Sequence, residues 1–170
     1  THLIRNMALP PEVRAQYDVS SVKGSLHSAA PCPRDVKLGA MDYFPEGSIW
    51  EVYGGTEGAM SMISPAEARL KPGSVGKAFP PGTELKVMDE EGNELPPGEV
   101  GLVFSRSLMK FKYKGAETLD KDTWRGDYFT LGDMGYLDED GYLFLTDRKK
   151  DMVISGGANI YPAEVEAVLF

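Results

Sequence analysis

The sequence predicts an α/β layer followed by a small β-barrel, and three features carry that expectation. Residues 22–57 run in the order strand, helix, strand, glycine-rich loop, as an α/β layer does. From about Lys71 the texture changes to short strands punctuated by glycine and proline. The 19 glycines and 12 prolines are spread along the chain, so they mark many turns rather than one linker.

Val22–Leu26 is expected as a short strand. Pro31 to Pro33 lead into a helix over Arg34–Phe44, where Val36, Ala40 and Phe44 fall at helical spacing, and Pro45 and Gly47 stop it. Ile49–Tyr53 reads as a buried strand running into Gly54-Gly55-Thr56-Glu57, and the layer ends near Pro65. Glu84–Met88 and Val100–Ser105 are strands separated by turn residues at Glu91-Gly92-Asn93 and Pro96-Pro97-Gly98. Asp120–Trp124 suits a helical turn. Tyr128–Thr130, Gly135–Leu137 and Tyr142–Thr146 then resume the strand pattern, with Asp138-Glu139-Asp140-Gly141 closing a hairpin. The charged run Asp147-Arg148-Lys149-Lys150-Asp151 reads as an interdomain linker before a strand, Met152–Ser155, and a helix beginning at Pro162. The expected units are therefore residues 1–68, 69–148 and 149–170.

Composition narrows the function classes. A chain of 170 residues that is 42% hydrophobic can bury a core. A formal net charge of -8 argues against a large nucleic-acid surface, which needs clustered Lys and Arg. Cys32 is the only cysteine, which excludes an intramolecular disulfide and a metal site of several thiolates, and suits a reducing, cytoplasmic compartment. The longest uncharged stretch, Met152 to Ala163, is broken by Gly156, Gly157, Asn159 and Pro162 and falls short of the roughly 20 apolar residues of a membrane span. Thr1 opens the chain without an initiator Met or a leader, as a fragment would.

Three segments have residue types suited to a nucleotide. In Tyr53-Gly54-Gly55-Thr56-Glu57-Gly58, glycines let backbone approach a phosphate, Thr56 can donate to a phosphate oxygen, Glu57 can hold magnesium and Tyr53 can stack on a base. A glycine-rich turn with a capping Thr and a solvated Glu accounts for the same residues. Asp133 can accept two ribose hydroxyls beside Arg148, or cap the turn at Gly135 while Arg148 pairs with Asp147 or Asp151. Ser155-Gly156-Gly157 suits close approach by a ligand, or a simple turn.

Taken with Asp147-Arg148-Lys149-Lys150-Asp151, Tyr128-Phe129-Thr130-Leu131-Gly132-Asp133 and Ser155-Gly156-Gly157-Ala158-Asn159-Ile160-Tyr161-Pro162 with Glu164 and Glu166, the order and spacing resemble the adenylate-forming superfamily of acyl-CoA synthetases, luciferases and adenylation domains. The resemblance implies a fragment of an acyl-CoA synthetase-like fold: the end of the large domain and the start of a small α+β domain. It implies that Ser28, Ala29, Ala30 and Pro31 line the adenine and acyl pocket, where relatives often have glycine. Tyr53 would pack on adenine with Gly54 and Gly55 beside it, Thr56 would touch the α-phosphate and Glu57 would bind Mg2+. Asp133, with Arg148 nearby, would hold the ribose, and Leu131 stands where many relatives have Thr. Lys150 matches the hinge, and Gly156 and Gly157 lie on the strand brought to coenzyme A.

The implied activity is that of an ATP-dependent carboxylate–CoA ligase: ATP and a small carboxylic acid give an acyl-adenylate, and coenzyme A then gives the thioester. His27-Ser28-Ala29-Ala30-Pro31-Cys32-Pro33 looks more like fatty-acyl-CoA synthetases than amino-acid adenylation domains. The family's phosphate loop and catalytic lysine have no match in the chain, so this section is expected to be inactive alone. An acyl-AMP ligase that loads a carrier protein and a non-catalytic interaction module are the alternatives.

Overall fold

The computed structural model describes residues 2–106, 110–112, 114, 123–149, 151, 153–155, 158–160 and 162. Two short helices open it, α1 (His2–Met7) and α2 (Pro11–Arg14). Leu3 and Met7, four residues apart and so on one face of α1, pack into the first core. Strand β1 is Ser25–His27. It starts later than the expected Val22 because the Val22 N–H is bound in a turn to the Val19 carbonyl, 3.0 Å away. Helix α3 (Arg34–Tyr43) follows, and its buried residues are Lys37, Ala40 and Met41. That face is turned one residue from the Val36 stripe suggested by spacing, because a carboxylate waits inside for Lys37.

The carboxylate belongs to Glu51 on β2 (Ile49–Gly55), which pairs parallel to β1 with His27 opposite Glu51. Lys37 Nζ forms an ion pair with Glu51 and donates to the Ser74 carbonyl at 3.3 Å. Strand β2 turns straight back into β3 (Gly58–Ile63), which pairs with β4 (Lys77–Ala78), giving the sheet order β1-β2-β3-β4. Period-two alternation sorts its side chains: His27, Ile49, Glu51, Ser61 and Ile63 are buried, whereas Leu26 and Trp50, register partners, are exposed.

Between β3 and β4 lies α4 (Pro65–Leu70), past the expected end of the layer. Ser64 and Glu67 form a capping box and Pro65 fills the first helical position, where a missing N–H costs nothing.

The short-strand region forms a six-stranded antiparallel sheet from β5 (Glu84–Met88), β6 (Gly101–Arg106), β7 (Trp124–Arg125), β8 (Tyr128–Phe129), β9 (Asp133–Leu137) and β10 (Leu143–Arg148). Strand β6 is central: β5 runs along one edge, while β8 and β9 share the other. Val103, Phe104 and Ser105 are consecutive and all buried, so β6 is covered on both faces. Thr123 is helical, and Trp124 then opens β7 with its ring tilted against those of Phe111 and Phe129 at centroid distances of 5.0 and 5.6 Å; residues 120–122 of the expected helical turn lie outside the described residues. Strand β10 extends to Arg148, so Asp147 and Arg148 belong to a sheet rather than a linker. Beyond it, β11 (Val153–Ser155) and β12 (Ala158–Ile160) pair antiparallel. The helix expected after Pro162 lies outside the described residues.

Two apolar clusters hold the sheets. One gathers Ala40, Met41, Ile49, Ile63 and Ala68, the other Met60, Val75, Val87, Val103, Phe129 and Leu143. Each borrows a side chain from the other's side of the seam, since Tyr142, just before β10, packs on the first and Tyr53 on the second. Polar contacts reinforce the seam. Leu143 exchanges backbone hydrogen bonds with Gly76 and Val75 at 2.8 and 2.9 Å, and Lys71 bridges Asp138 and Asp140 at 2.7 and 2.6 Å. Among the described residues no helix is long and apolar enough to cross a membrane.

Candidate functional site

Strands β1 and β2 are parallel, so both leave the sheet at the same end, where open α/β sheets hold ligands. Strand β1 ends at His27 opposite Glu51, and Ser28, Ala29, Ala30 and Pro31 therefore depart alongside the stretch of β2 that leads to Gly55. This loop folds back on itself: the His27 ring is 2.9 Å from the Ala30 carbonyl, and Ala29 has φ 69°. Among the described residues Ala29 is the one non-glycine in that left-handed region.

Thr56 and Glu57 form a two-residue turn between Gly55 and Gly58, which face each other across the hairpin. Neither has positive φ, and such turns splay a hairpin unless its pairing adjusts. The adjustment is a register shift between Tyr53 and Gly54, which leaves Met60 as the extra residue on β3, fully buried in the second core. A Cβ on Gly54 would sit 2.4 Å from the Gly58 carbonyl oxygen, so only glycine fits this close approach. Thr56 is exposed at the tip. The Glu57 carboxylate lies back over Gly55, 2.5 Å from where a Cβ there would be, with the Leu131 methyls 3.5 Å away on the same position. The Leu131 side chain packs on the glycine-rich turn.

Asp133 comes from the other sheet. Asp133 is buried, and its carboxylate accepts from the Tyr53 hydroxyl at 2.6 Å, a contact between residues 80 apart in sequence. Burial pushes the Tyr53 phenol well above its ordinary pKa and the Asp133 charge pushes it further, so the phenol stays neutral and donates. Arg148 Nε lies 3.3 Å from the other Asp133 oxygen. That pairing depends on a bulge. From Leu143 opposite Leu137 to Leu145 opposite Gly135 the strands are in step; Asp147 then faces Met134 and Arg148 faces Asp133, leaving Thr146 as the extra residue. Without it Asp147, not Arg148, would face Asp133, and two carboxylates would oppose each other.

The structure thus brings Tyr53, Asp133 and Arg148 together and sets Gly54, Gly55, Thr56 and Glu57 on the adjoining turn. The Arg148 side chain pairs with Asp133, while its backbone N–H donates to the Asp147 carboxylate at 2.7 Å. Lys150, Gly156 and Gly157 lie outside the described residues. The Tyr53 hydroxyl as a partner of Asp133 is a contact that sequence reasoning misses, because only the fold juxtaposes the residues. Among the described residues no group of three or more His, Cys, Asp or Glu side chains could hold a metal. Glu57 is the carboxylate on the glycine-rich turn, and magnesium commonly takes one or two carboxylates and completes its shell with substrate phosphates and water.

The chain matches the family model of the AMP-binding enzymes over residues 1–112. It is 39% identical over 94% of its length to the long-chain-fatty-acid–CoA ligase of Bacillus subtilis, and 34% identical over 98% to the fatty acid–[acyl-carrier-protein] ligase ScoC of Streptomyces coeruleorubidus. It covers 29% and 33% of those two proteins, about a third of their length. Among solved structures it superposes on the amide bond synthetase McbA of Marinactinospora thermotolerans with a TM-score of 0.85 at 29% identity, covering 98% of this chain and 34% of that one. The O-succinylbenzoate coenzyme A synthetase of Bacillus subtilis, solved with ATP and magnesium, matches with a TM-score of 0.80 at 29% identity, over 94% of this chain and 35% of that one. The chain belongs to the AMP-binding enzymes, the adenylate-forming superfamily.

Proposed function

We propose that the parent protein is an ATP-dependent carboxylate–CoA ligase and that this chain supplies its nucleotide-holding section. The observation that carries the reading is the buried Asp133, held by Tyr53 beside a Gly-Gly-Thr-Glu turn exposed at Gly55 and Thr56, in a chain whose relatives include CoA ligases.

In this reading the Tyr53 ring packs on adenine, Asp133 accepts the ribose hydroxyls and the Thr56 hydroxyl donates to the α-phosphate. Ser28, Ala29, Ala30 and Pro31 border adenine and the acyl group. A carboxylate oxygen of the substrate attacks the α-phosphorus, a P–O bond forms, and the bond to the bridging oxygen breaks as pyrophosphate leaves. Glu57 would hold the magnesium that neutralises charge building on the phosphates. The coenzyme A sulfur, its proton passed to solvent, then attacks the acyl carbonyl and AMP leaves. Lys150 is the hinge of this exchange, and Gly156 and Gly157 border the thiol's approach.

The family's phosphate loop and catalytic lysine find no match here, so the isolated chain is expected not to exchange pyrophosphate into ATP. The likeness to a fatty acid–[acyl-carrier-protein] ligase over 98% of the chain favours one second reading, transfer to a carrier protein. The parent offered coenzyme A or a phosphopantetheinylated carrier after adenylation separates the two: thioester on coenzyme A supports the ligase, and thioester on the carrier alone replaces it. Adenylate formation with neither acceptor used, or no AMP binding at all, removes both.

A further inference from the structure

We propose that Tyr53 is a positioning residue for the ribose: its hydroxyl holds one oxygen of Asp133 while Arg148 holds the other, fixing the carboxylate before nucleotide arrives. The inference rests on the reading of Asp133 as the ribose acceptor. It gives Tyr53 a second task beyond packing on the base.

An Asp carboxylate rotates about a broad, roughly two-fold torsion, so an unheld one must lose that freedom when it grips a diol. Here the freedom is already gone. Oδ2 accepts from Tyr53 at 2.6 Å and Oδ1 faces Arg148 Nε at 3.3 Å, while the Asp133 side chain is only 12% exposed. A carboxylate has about four acceptor directions, so one neutral donor and one cation leave a lone-pair direction on each oxygen for the 2′- and 3′-hydroxyls. The Tyr53 contact is the stronger anchor, being shorter and better shielded than that of Arg148, whose side chain is 58% exposed.

Tyr53 is itself fixed. Its backbone sits at the register shift of the β2–β3 hairpin, and its ring packs on the core containing Met60, Val103 and Phe129. The β9–β10 hairpin carrying Asp133 is sewn to the same sheet through Leu143, Gly76 and Ser74, whose hydroxyl donates to the Leu143 carbonyl at 2.8 Å. One side chain therefore ties the base-binding and ribose-binding elements, and loss of its hydroxyl should affect recognition of the sugar rather than of the base.

The test uses the full-length parent with ATP, 2′-deoxy-ATP and 3′-deoxy-ATP in pyrophosphate exchange, and AMP against 2′-deoxy-AMP in calorimetry, which needs no turnover. Tyr53→Phe keeps the ring and removes only the hydroxyl. It is expected to raise KM for ATP by about 5- to 10-fold, less than the roughly 10- to 150-fold of a direct hydrogen bond to a charged group, because the lost bond acts on the nucleotide through Asp133. The deoxy analogues should suffer less, so discrimination between ribose and deoxyribose shrinks while kcat stays within about twofold. Asp133→Asn should remove most of that discrimination. If Asp133→Asn abolishes it and Tyr53→Phe leaves it at the wild-type ratio, the positioning role is overturned and the ribose reading stands. If Tyr53→Phe weakens all three nucleotides equally, Tyr53 serves base packing or folding alone and the proposal also fails. If Asp133→Asn leaves the ratio unchanged, the ribose reading falls and the proposal with it.

Discussion

Arg148 faces Asp133 across the β9–β10 hairpin, Nε to carboxylate 3.3 Å, because Thr146 is bulged out of register one pair earlier. The contact is asymmetric in burial, with the Arg148 side chain 58% exposed and that of Asp133 12%. An ion pair half in water contributes about 0–1 kcal/mol. Arg148→Ala in the parent is therefore expected to raise KM for ATP less than about fivefold, and steady-state kinetics at two ionic strengths should show the difference shrinking in salt. A loss beyond about 50-fold would mean that Arg148 touches the nucleotide directly.

The Lys37–Glu51 pair behaves differently, since both side chains are more than nine-tenths buried and a third partner, the Ser74 carbonyl, accepts from the ammonium. Removing one partner strands a charge inside, and Lys37→Met should destabilise the parent by about 3–5 kcal/mol. Replacing both, Lys37→Met with Glu51→Leu, should restore most of that loss. Denaturant titration of the single and double variants decides it; equal losses in both would show that the charges themselves stabilise this seam.

Gly55 has a narrower role. A methyl there meets the Glu57 carboxylate at 2.5 Å, and the carboxylate is the far end of a flexible side chain, so it is the group that moves. Gly55→Ala should raise the magnesium concentration needed for half-maximal pyrophosphate exchange several-fold, with a smaller effect on KM for ATP at saturating magnesium. An unchanged magnesium dependence would remove Glu57 from the metal site.

Ala29 holds φ 69° in the loop after β1. An L-residue there costs roughly 1–2 kcal/mol, while a glycine loses up to about 1 kcal/mol of extra chain entropy on folding. The net expectation for Ala29→Gly is stabilisation by up to about 1 kcal/mol, read as a small rise in the parent's Tm. A fall in Tm would mean that the methyl packs usefully in the full-length protein.

Much of the fold is legible because local signals agree. Glu84–Met88 is a strand in both the sequence and the structure, and α3 begins at Arg34 as its flanking prolines indicate. Strand β3 is less legible: Gly58-Ala59-Met60-Ser61-Met62-Ile63 has little β-branched character, and it is a strand because β2 and β4 pair with it. Helix α4 announces itself through Ser64-Pro65-Ala66-Glu67, a capping box with proline at the first turn. In the candidate site the residue types are legible and the pairing is not. One bulged residue, Thr146, decides whether Asp147 or Arg148 meets Asp133, and no periodicity reveals it. Tyr53 and Asp133 meet only because two sheets share a seam.

The central claim, that Asp133 and its neighbours hold a nucleotide, is tested most directly by calorimetric titration of AMP into the full-length parent and its Asp133→Ala variant. The account predicts saturable binding by the parent, weakened in the variant by about 1–3 kcal/mol, or roughly 5- to 150-fold in Kd, as expected when a charged hydrogen-bond acceptor is lost. Equal affinity in the two proteins, or no binding by the parent, would contradict it.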